Sequence, residues 1–503
     1  MRIAHFGTFD VENYGDLLFP LVLERRLAGR GHAIVHVSPV GGGPVWRHCV
    51  ETISVDDAMA QRFDAIVIGG GHTIHGQPSD VAAYRAAGDR GLLAYSDLWL
   101  RSTLLACEQA LPLVWNAPGV PGPFPSETAV LVRWAAEQAD RIALRDGTSL
   151  GFLRGAGFTG EATVALDTAI DVDALWSPAE LDAAWREVFR ARGLAVPERA
   201  IALHFNARFL QAGVEEVAAR LDALGLRSGS MPVLLALGPC HGDVELVRAI
   251  SSAMTTPHAA IGPVEDLVEL VACLRGASLY VGSSLHGGVT ARAFDRPAIL
   301  VAPEAPGAAS KRRSFLALHG RVFETAAGRR SAHVERWEEA WDCVEAILAP
   351  ASGRVASPAS RRAFDGGGSA VSSEPAGRRD PNAAHWQGLI AALEHPADAL
   401  PGRRRAGRVE LEALLGDRWR RERISIGILL DQAREAATHR AAAQRNAQRF
   451  RALARRQRDL ATDARATQGK HAKAAGERAT MDAGTGAPAT TAASAMKPDG
   501  SGS

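Results

Sequence analysis

The stretch Tyr280–Pro297, YVGSSLHGGVTARAFDRP, places a histidine where an apolar strand gives way to a helix. The strand ending LYVGS passes through a tight Gly/Ser turn, and His286 then falls in the first helical turn, with Ala291, Arg292 and Phe294 continuing it. A helix start of that kind presents free backbone N–H groups and a positive dipole end, and anions bind there. An imidazole at the same point can exchange a proton with whatever those groups hold. On spacing alone, His286 reads equally well as a helix cap or a satisfied core histidine.

Three more clusters fall at predicted strand carboxyl ends, where open α/β sheets bind ligands. They are Asn13 to Asp16 with Gly15 inside, Gly69 to Thr73 with Gly70 and Gly71, and Arg145-Asp146; Ser283 to Gly287 is the fourth. The run GGGHT is not the dinucleotide fingerprint, and no ribose-binding acid follows it convincingly. Arg145-Asp146 reads on its own as a structural ion pair. Lys311, Arg312 and Arg313 read as a solvated helix face, yet they open the next helix on the same side of the sheet as His286. Asp64 and Asp243 look like helix or turn caps. Ser283 and Ser284 have no identifiable partner base, so no Ser–His–Asp set is expected, and no metal constellation either.

The elements that must position these groups alternate regularly. MRIAHFGT reads as a buried strand, Asp16 to Arg30 as a helix, then HAIVHVS and FDAIVIGGG as strands. A helix around Ser96 to Gln109, the strand LPLVWNAPG, a helix from Ser126, the strand RIALRD, a helix from Thr148 and the strand ATVALDTAI complete a first unit. After a connecting helix from Pro178 the alternation restarts with AIALHFN and runs through VLLALGP, HAAIGPV, the His286 stretch and PAILVAP. Near-continuous apolar strands separated by helices mark parallel sheets covered on both faces. The expected fold is α/β, two doubly wound (Rossmann-like) domains in tandem over 1–175 and 176–350. A helix over Val334–Leu348 closes the second, its Trp337 and Trp341 spaced for core packing.

The remaining chain differs in kind. Residues 351–382 are rich in Ser, Gly, Ala and Arg and read as a flexible linker. Residues 383–475 read as a basic helical tail and 476–503 as low-complexity disorder. Between Arg403 and Lys473 the net charge is +11 against +1 for the whole chain, which leaves the remainder near −10. Such a tail suits an anionic membrane surface, a partner chain or mere solubility. The five cysteines are scattered, odd in number and never in a C-x-x-C pair, which fits a reducing cytosol. No apolar run approaches membrane-spanning length, so the expected location is cytoplasmic, with peripheral attachment at the inner membrane face as the variant the tail allows.

Taken in order, the clusters resemble the polysaccharide pyruvyl transferase family. The matching residues are NYGD (Asn13 to Asp16), GGG (Gly69 to Gly71), Gly122-Pro123, ALRDGTSLGFLRGAG (Ala143 to Gly157), ALDTAI with Asp167, SSLHGGVTARAFDRPAI (Ser283 to Ile299) and Lys311. The resemblance covers about residues 1–320. The sequence departs from the usual pattern at Ser284, two before His286, where many members carry a bulkier or basic residue. The resemblance implies a glycosyltransferase-B type fold with its ligand cleft between two sheets. It also implies transfer from phosphoenolpyruvate to two hydroxyls of one sugar in a polysaccharide or its precursor, giving a pyruvate ketal and free phosphate. His286 would then be the catalytic residue. Arg145 suits bidentate anion binding and Lys311 a point charge on phosphate, with Asn13, Gly15, Asp16, Gly70, Gly71, Ser283 and Gly287 building the substrate site. The expected partners are phosphoenolpyruvate and a glycan acceptor, free or lipid-linked, with no specific nucleic acid. No cofactor and no metal are demanded by that chemistry. Two other readings stay open: a nucleotide-sugar transferase of the same fold, for which Glu265-Asp266 is the one loose ribose-binding candidate, and an inactive binding module.

Overall fold

A computed structural model of the chain describes residues 1–79, 81–87, 91, 93–301, 311–319, 331–348, 380 and 382–395. The basic segment 403–473, the terminal 476–503 and nearly all of the expected linker lie outside the described residues.

Within Met1–Gly416, which forms one compact unit, the strands build two wholly parallel sheets. The first holds β1 (Arg2–Phe6), β2 (Ala33–Ser38), β3 (Ile53–Ser54), β4 (Ala65–Gly69), β5 (Leu113–Asn116), β6 (Arg141–Leu144) and β7 (Thr163–Val164), in the order β3-β2-β1-β4-β5-β6-β7. The second holds β8 (Ala200–His204), β9 (Met231–Leu235), β10 (Ala259–Ile261), β11 (Leu279–Gly282), β12 (Ala298–Val301) and β13 (Ala332–Val334), in the order β10-β9-β8-β11-β12-β13. Both reverse direction beside their first strand, which is the doubly wound order and opens a crevice at the strand carboxyl ends. The central strands β4, β5, β8 and β11 are buried along their whole length, as apolar runs covered by helices on both faces must be.

The joining helix Pro178–Arg190 starts where the sequence encodes a start. Ser177 accepts from the Glu180 N–H while the Glu180 carboxylate accepts from the Ser177 N–H, with Pro178 at the first helical position.

Three expectations about elements change. The strand read over ATVALDTAI shortens to β7, because Asp167 accepts a hydrogen bond from the Ala169 N–H and turns the chain into a 3-10 helix, Thr168–Ala174. β13 precedes the closing helix, which begins at Trp337 rather than Val334. Trp337 stacks on Phe205 at a centroid distance of 4.5 Å, a core role for that indole.

The third change concerns the helix Ala383–Glu394, which the sequence pattern groups with the basic tail. It packs instead on the first sheet, where Trp386, Leu389 and Leu393 join Ile3, Val67 and Val114 in one apolar cluster. Trp386 Nε1–H donates to Asp171 Oδ2 at 2.6 Å, His385 Nε2 meets Asn116 Oδ1 at 2.7 Å, and Arg26 reaches the same Asp171 oxygen at 2.8 Å. These bonds and the shared apolar cluster make the helix part of the first domain's wall.

Among the described residues no helix is long and apolar enough to cross a membrane. All five cysteines are free thiols.

Candidate active site

The helix Leu285–Ala293 follows β11 directly, and its cap, Ser284, accepts from the Gly287 N–H at 3.3 Å. His286 therefore sits in the first turn, as read, but it is only 8% exposed and takes its shape from the other domain. Its ring lies over Gly15, where a side-chain carbon would come 1.8 Å from Nδ1, and edge-on to Phe19 at 5.4 Å between centroids. Gly15 and Phe19 belong to the first helix, Tyr14–Leu27, which is also tied to the second domain by Tyr14 Oη to Thr290 Oγ1 at 2.7 Å. The NYGD run thus makes the slot that the imidazole fills. The glycine is required by contact, not by backbone angle.

His286 Nε2 faces Asp167 Oδ2 at 3.4 Å, and Arg145 Nη1 reaches the same oxygen at 3.6 Å. Burial alone would raise the Asp167 carboxyl, but the His286 imidazole and the Arg145 guanidinium beside it hold it down at about 2. Arg145 ends β6 and is buried; Asp146 next to it spends its carboxylate on capping the Gly147–Gly155 helix through the Ser149 N–H, at 2.6 Å. The ion pair expected within Arg145-Asp146 is accordingly long, 3.7 Å. Arg145 lies flat on the backbone of Gly119, where a side-chain carbon would stand 2.4 Å from Nε. Arg145 Nε and Nη2, His286 Nε2 and Asp167 Oδ2 are all buried without a hydrogen-bond partner. The contacts among these groups are long, 3.4 to 3.6 Å, so their hydrogen-bonding capacity is only partly used.

Lys311 opens the helix Lys311–His319 at the edge of the same space. Burial pushes its ammonium down to about 7, and the neighbouring Arg312 and Arg145 push the same way against Asp16 and Asp167. Burial also raises the Asp16 carboxyl and holds the His72 imidazole well below its usual range, the latter with Arg145 and Lys311 adding to the effect. Asn13 Nδ2 donates to Asp16 Oδ2 at 2.8 Å.

These groups line a cleft of about 800 Å³ between the carboxyl ends of the two sheets. Of the residues expected at a site, Asn13, Asp16, Gly71, Arg145, Ser283, His286 and Lys311 line it. Gly15, Gly70 and Gly287 do not: they back the wall, against His286, Phe19 and Tyr280 respectively.

Ser283 and Ser284, for which the sequence identifies no partner, share a neighbouring histidine. His204, at the end of β8, meets Ser283 Oγ at 3.2 Å and accepts from the Ser284 N–H at 3.1 Å, both through Nδ1. Its Nε2 meets Asp243 Oδ2 at 2.7 Å. No local pattern could have found this base, because it lies 79 residues before Ser283. Asp243, read as a cap, does open the helix Asp243–Ala253, but its carboxylate also gathers the Gly238 N–H at 2.7 Å and Asn206 Nδ2 at 3.1 Å.

Two doubly wound sheets facing each other across a cation-lined cleft define a two-domain transferase of the glycosyltransferase-B type. The chain belongs to the polysaccharide pyruvyl transferase family, whose model matches residues 13–304, more than half of the 503. No curated protein matches the sequence. Among solved structures, the chain is similar to a UDP-GlcNAc 2-epimerase from Neisseria meningitidis, with 13% identity, 78% of this chain and 100% of that one covered, and a TM-score of 0.44. It is similar to a UDP-GlcNAc 2-epimerase from Methanocaldococcus jannaschii, with 10% identity, coverage of 70% and 94%, and a TM-score of 0.45. It is also similar to the E. coli ADP-heptose lps heptosyltransferase II, with 14% identity, coverage of 62% and 88%, and a TM-score of 0.33. At these scores nothing about the chemistry of this chain follows from the likenesses.

Proposed function

We propose that this transferase moves the enolpyruvyl group of phosphoenolpyruvate onto two hydroxyls of one sugar, forming a cyclic pyruvate ketal and releasing phosphate. The observation that carries the reading is the convergence on one cleft of His286, Lys311 and the buried Arg145, whose Nε and Nη2 have no hydrogen-bond partner and whose ion pairs with Asp146 and Asp167 are long, 3.7 and 3.6 Å. A donor with a carboxylate and a phosphate offers acceptors to that guanidinium and to the Lys311 ammonium.

In this reading Arg145 holds one donor anion through the N–H groups along one edge of its planar guanidinium, and Lys311 neutralises the other. A sugar hydroxyl adds to carbon 2 of the donor and loses its proton, while carbon 3 gains one to become a methyl group. The phosphate then leaves with the C–O bonding pair, and the second hydroxyl closes the ketal, its proton departing with phosphate or water. His286 delivers the proton to carbon 3 and takes that of the attacking hydroxyl. Asp167 stands beside the imidazole, its carboxylate 3.4 Å from Nε2. The cleft exceeds what a ten-atom donor fills, which leaves space for a sugar beside it.

Of the Glu265-Asp266 pair that the nucleotide-sugar alternative relies on, the aspartate is already engaged. Asp266 already caps the Leu267–Gly276 helix and pairs with His48 at 2.8 Å and Arg47 at 3.4 Å. The deciding experiment incubates the protein with phosphoenolpyruvate and a panel of glycan acceptors. Acceptor-dependent phosphate release supports the reading, and nucleoside diphosphate release from a nucleotide-sugar in its place refutes it.

A further inference from the structure

Ser283, His204 and Asp243 are hydrogen-bonded in the sequence of a hydrolytic triad, yet the bonding does not allow that chemistry. Asp243 gathers three donors, His204 Nε2–H, the Gly238 N–H and Asn206 Nδ2–H, so it acts as an acceptor only. The Ser284 N–H is a backbone donor and can do nothing but donate, so His204 Nδ1 must present its lone pair to it. The lone pair that would take a proton from Ser283 is therefore already engaged.

What the arrangement does fix is the start of the catalytic helix. His204 holds the Ser284 N–H; Tyr280 Oη–H donates to the Ser284 carbonyl at 3.0 Å; Arg312 Nε–H donates to the Ser283 carbonyl at 2.9 Å. The next two residues are Leu285 and His286. Between β8 and β11 the approach is close, since a side-chain carbon at Gly282 would stand 2.8 Å from His204 Cβ. His204, 4% exposed, has no freedom to turn and present its other nitrogen. Asp243 decides which nitrogen carries the hydrogen, and that choice decides whether the Ser283–Ser284 turn is held.

We propose that His204, locked by Asp243 with its hydrogen on Nε2, is a positioning residue that sets the first turn of the His286 helix and so aims the imidazole. The inference rests on His286 being the proton-transferring group of the proposed reaction. It adds a role for two residues of β8 and the Asp243 helix that lie on the far side of the cleft from Arg145.

The test uses the full chain labelled with ¹⁵N-histidine, read at about pH 8, where an ordinary imidazole is neutral. The His204 and His286 ring signals are assigned by their loss in His204→Gln and His286→Ala. The expected spectrum shows His204 with its hydrogen on Nε2. His204→Ala should displace the His286 signals and lower turnover by up to about a hundredfold, as a small misplacement of a reacting group does, with donor affinity unchanged. His204→Gln, whose amide carries one acceptor and one donor, should recover part of that loss. Asp243→Asn should reduce the Nε2–H form of His204 and follow the same split. A wild-type His204 with its hydrogen on Nδ1, or unmoved His286 signals in a folded His204→Ala protein, overturns the proposal. If the wild type releases no phosphate with any acceptor, the functional reading fails, while the ring signals still decide the positioning role.

Discussion

Gly15 and His286 occupy one space: a methyl group on position 15 would stand 1.8 Å from Nδ1 of the imidazole. The two residues start helices in different domains, so a substitution at one is felt as a displacement of the other. Gly15→Ala should lower turnover by about a hundredfold, with donor affinity nearly kept because Arg145 and Lys311 are untouched. The check is a double-mutant cycle in thermal stability. In the His286→Ala background the ring is gone, and adding Gly15→Ala should cost little further; fully additive losses would mean that the two do not share the slot.

His286→Ala should reduce phosphate release by about a hundred- to ten-thousandfold while the protein stays folded. Steady-state kinetics with circular dichroism measures both. Near-wild-type turnover would remove the imidazole from the reaction.

Arg145→Ala and Lys311→Ala should each weaken phosphoenolpyruvate binding by about 1.5 to 3 kcal/mol, leaving acceptor binding nearly alone. Arg145→Lys should not restore a two-pronged contact. The lysine adds a pH signature. Its ammonium sits at about 7, so the cation that pairs with the donor is present below that pH and lost as pH rises through it. Donor affinity, measured by calorimetry, should fall above about pH 7, and Lys311→Arg should flatten the fall because a guanidinium stays charged.

Asp167 makes an acid-side prediction. Its carboxyl is held at about 2, below the ordinary 3.8, so the stability it contributes is complete above about pH 4 and is lost as pH falls toward 2. The shift corresponds to about 2 kcal/mol. Asp167→Asn should shed this part of the acid unfolding and also misalign His286, lowering turnover without a matching loss of acceptor affinity. Denaturant melts at pH 6 and pH 3 would show an unchanged pH dependence if the carboxylate is not held by its two neighbours.

Where the chain is cut decides whether the basic segment can be studied alone. A protein ending at residue 395 should keep turnover on a soluble acceptor and lose any salt-sensitive binding to anionic vesicles. A protein ending at residue 350 should be destabilised by about 5 kcal/mol, since it uncovers the seat of Trp386, Leu389 and Leu393. Thermal melts and vesicle sedimentation read the two effects. Equal vesicle binding by the full chain and the chain ending at 395 would rule out a membrane role for residues 403–473.

The doubly wound architecture was legible because buried parallel strands are apolar almost throughout and announce themselves between amphipathic helices. The cleft groups were legible for a related reason: strand carboxyl ends are where polar residues interrupt such runs. What stayed hidden depends on distance along the chain. His204 and Ser283 meet only because β8 and β11 are neighbours in the sheet, and nothing near either residue signals the other. The shortening of β7 turns on a single hydrogen bond from the Ala169 N–H to Asp167, which competes with an apolar pattern that favours a strand. The helix Ala383–Glu394 carries a plain apolar face, but its partner surface is contributed by the first sheet and first helix, Ile3, Leu23, Val67 and Val114 among them, far back along the chain.

That return of the chain to its own beginning has a consequence for synthesis. β1 leaves the ribosome well before the second domain, whereas the helix that packs with Ile3, Ala65, Val67 and Val114 follows that domain in the chain. Domains otherwise fold in order as they emerge. Here one seat on the first sheet, beside Val22, Leu23 and Leu27 of the first helix, stays uncovered until the second domain has been translated. That seat is apolar, the kind of surface that other unfinished chains and chaperones both recognise, so the arrival of the Ala383–Glu394 helix governs how long it stays exposed.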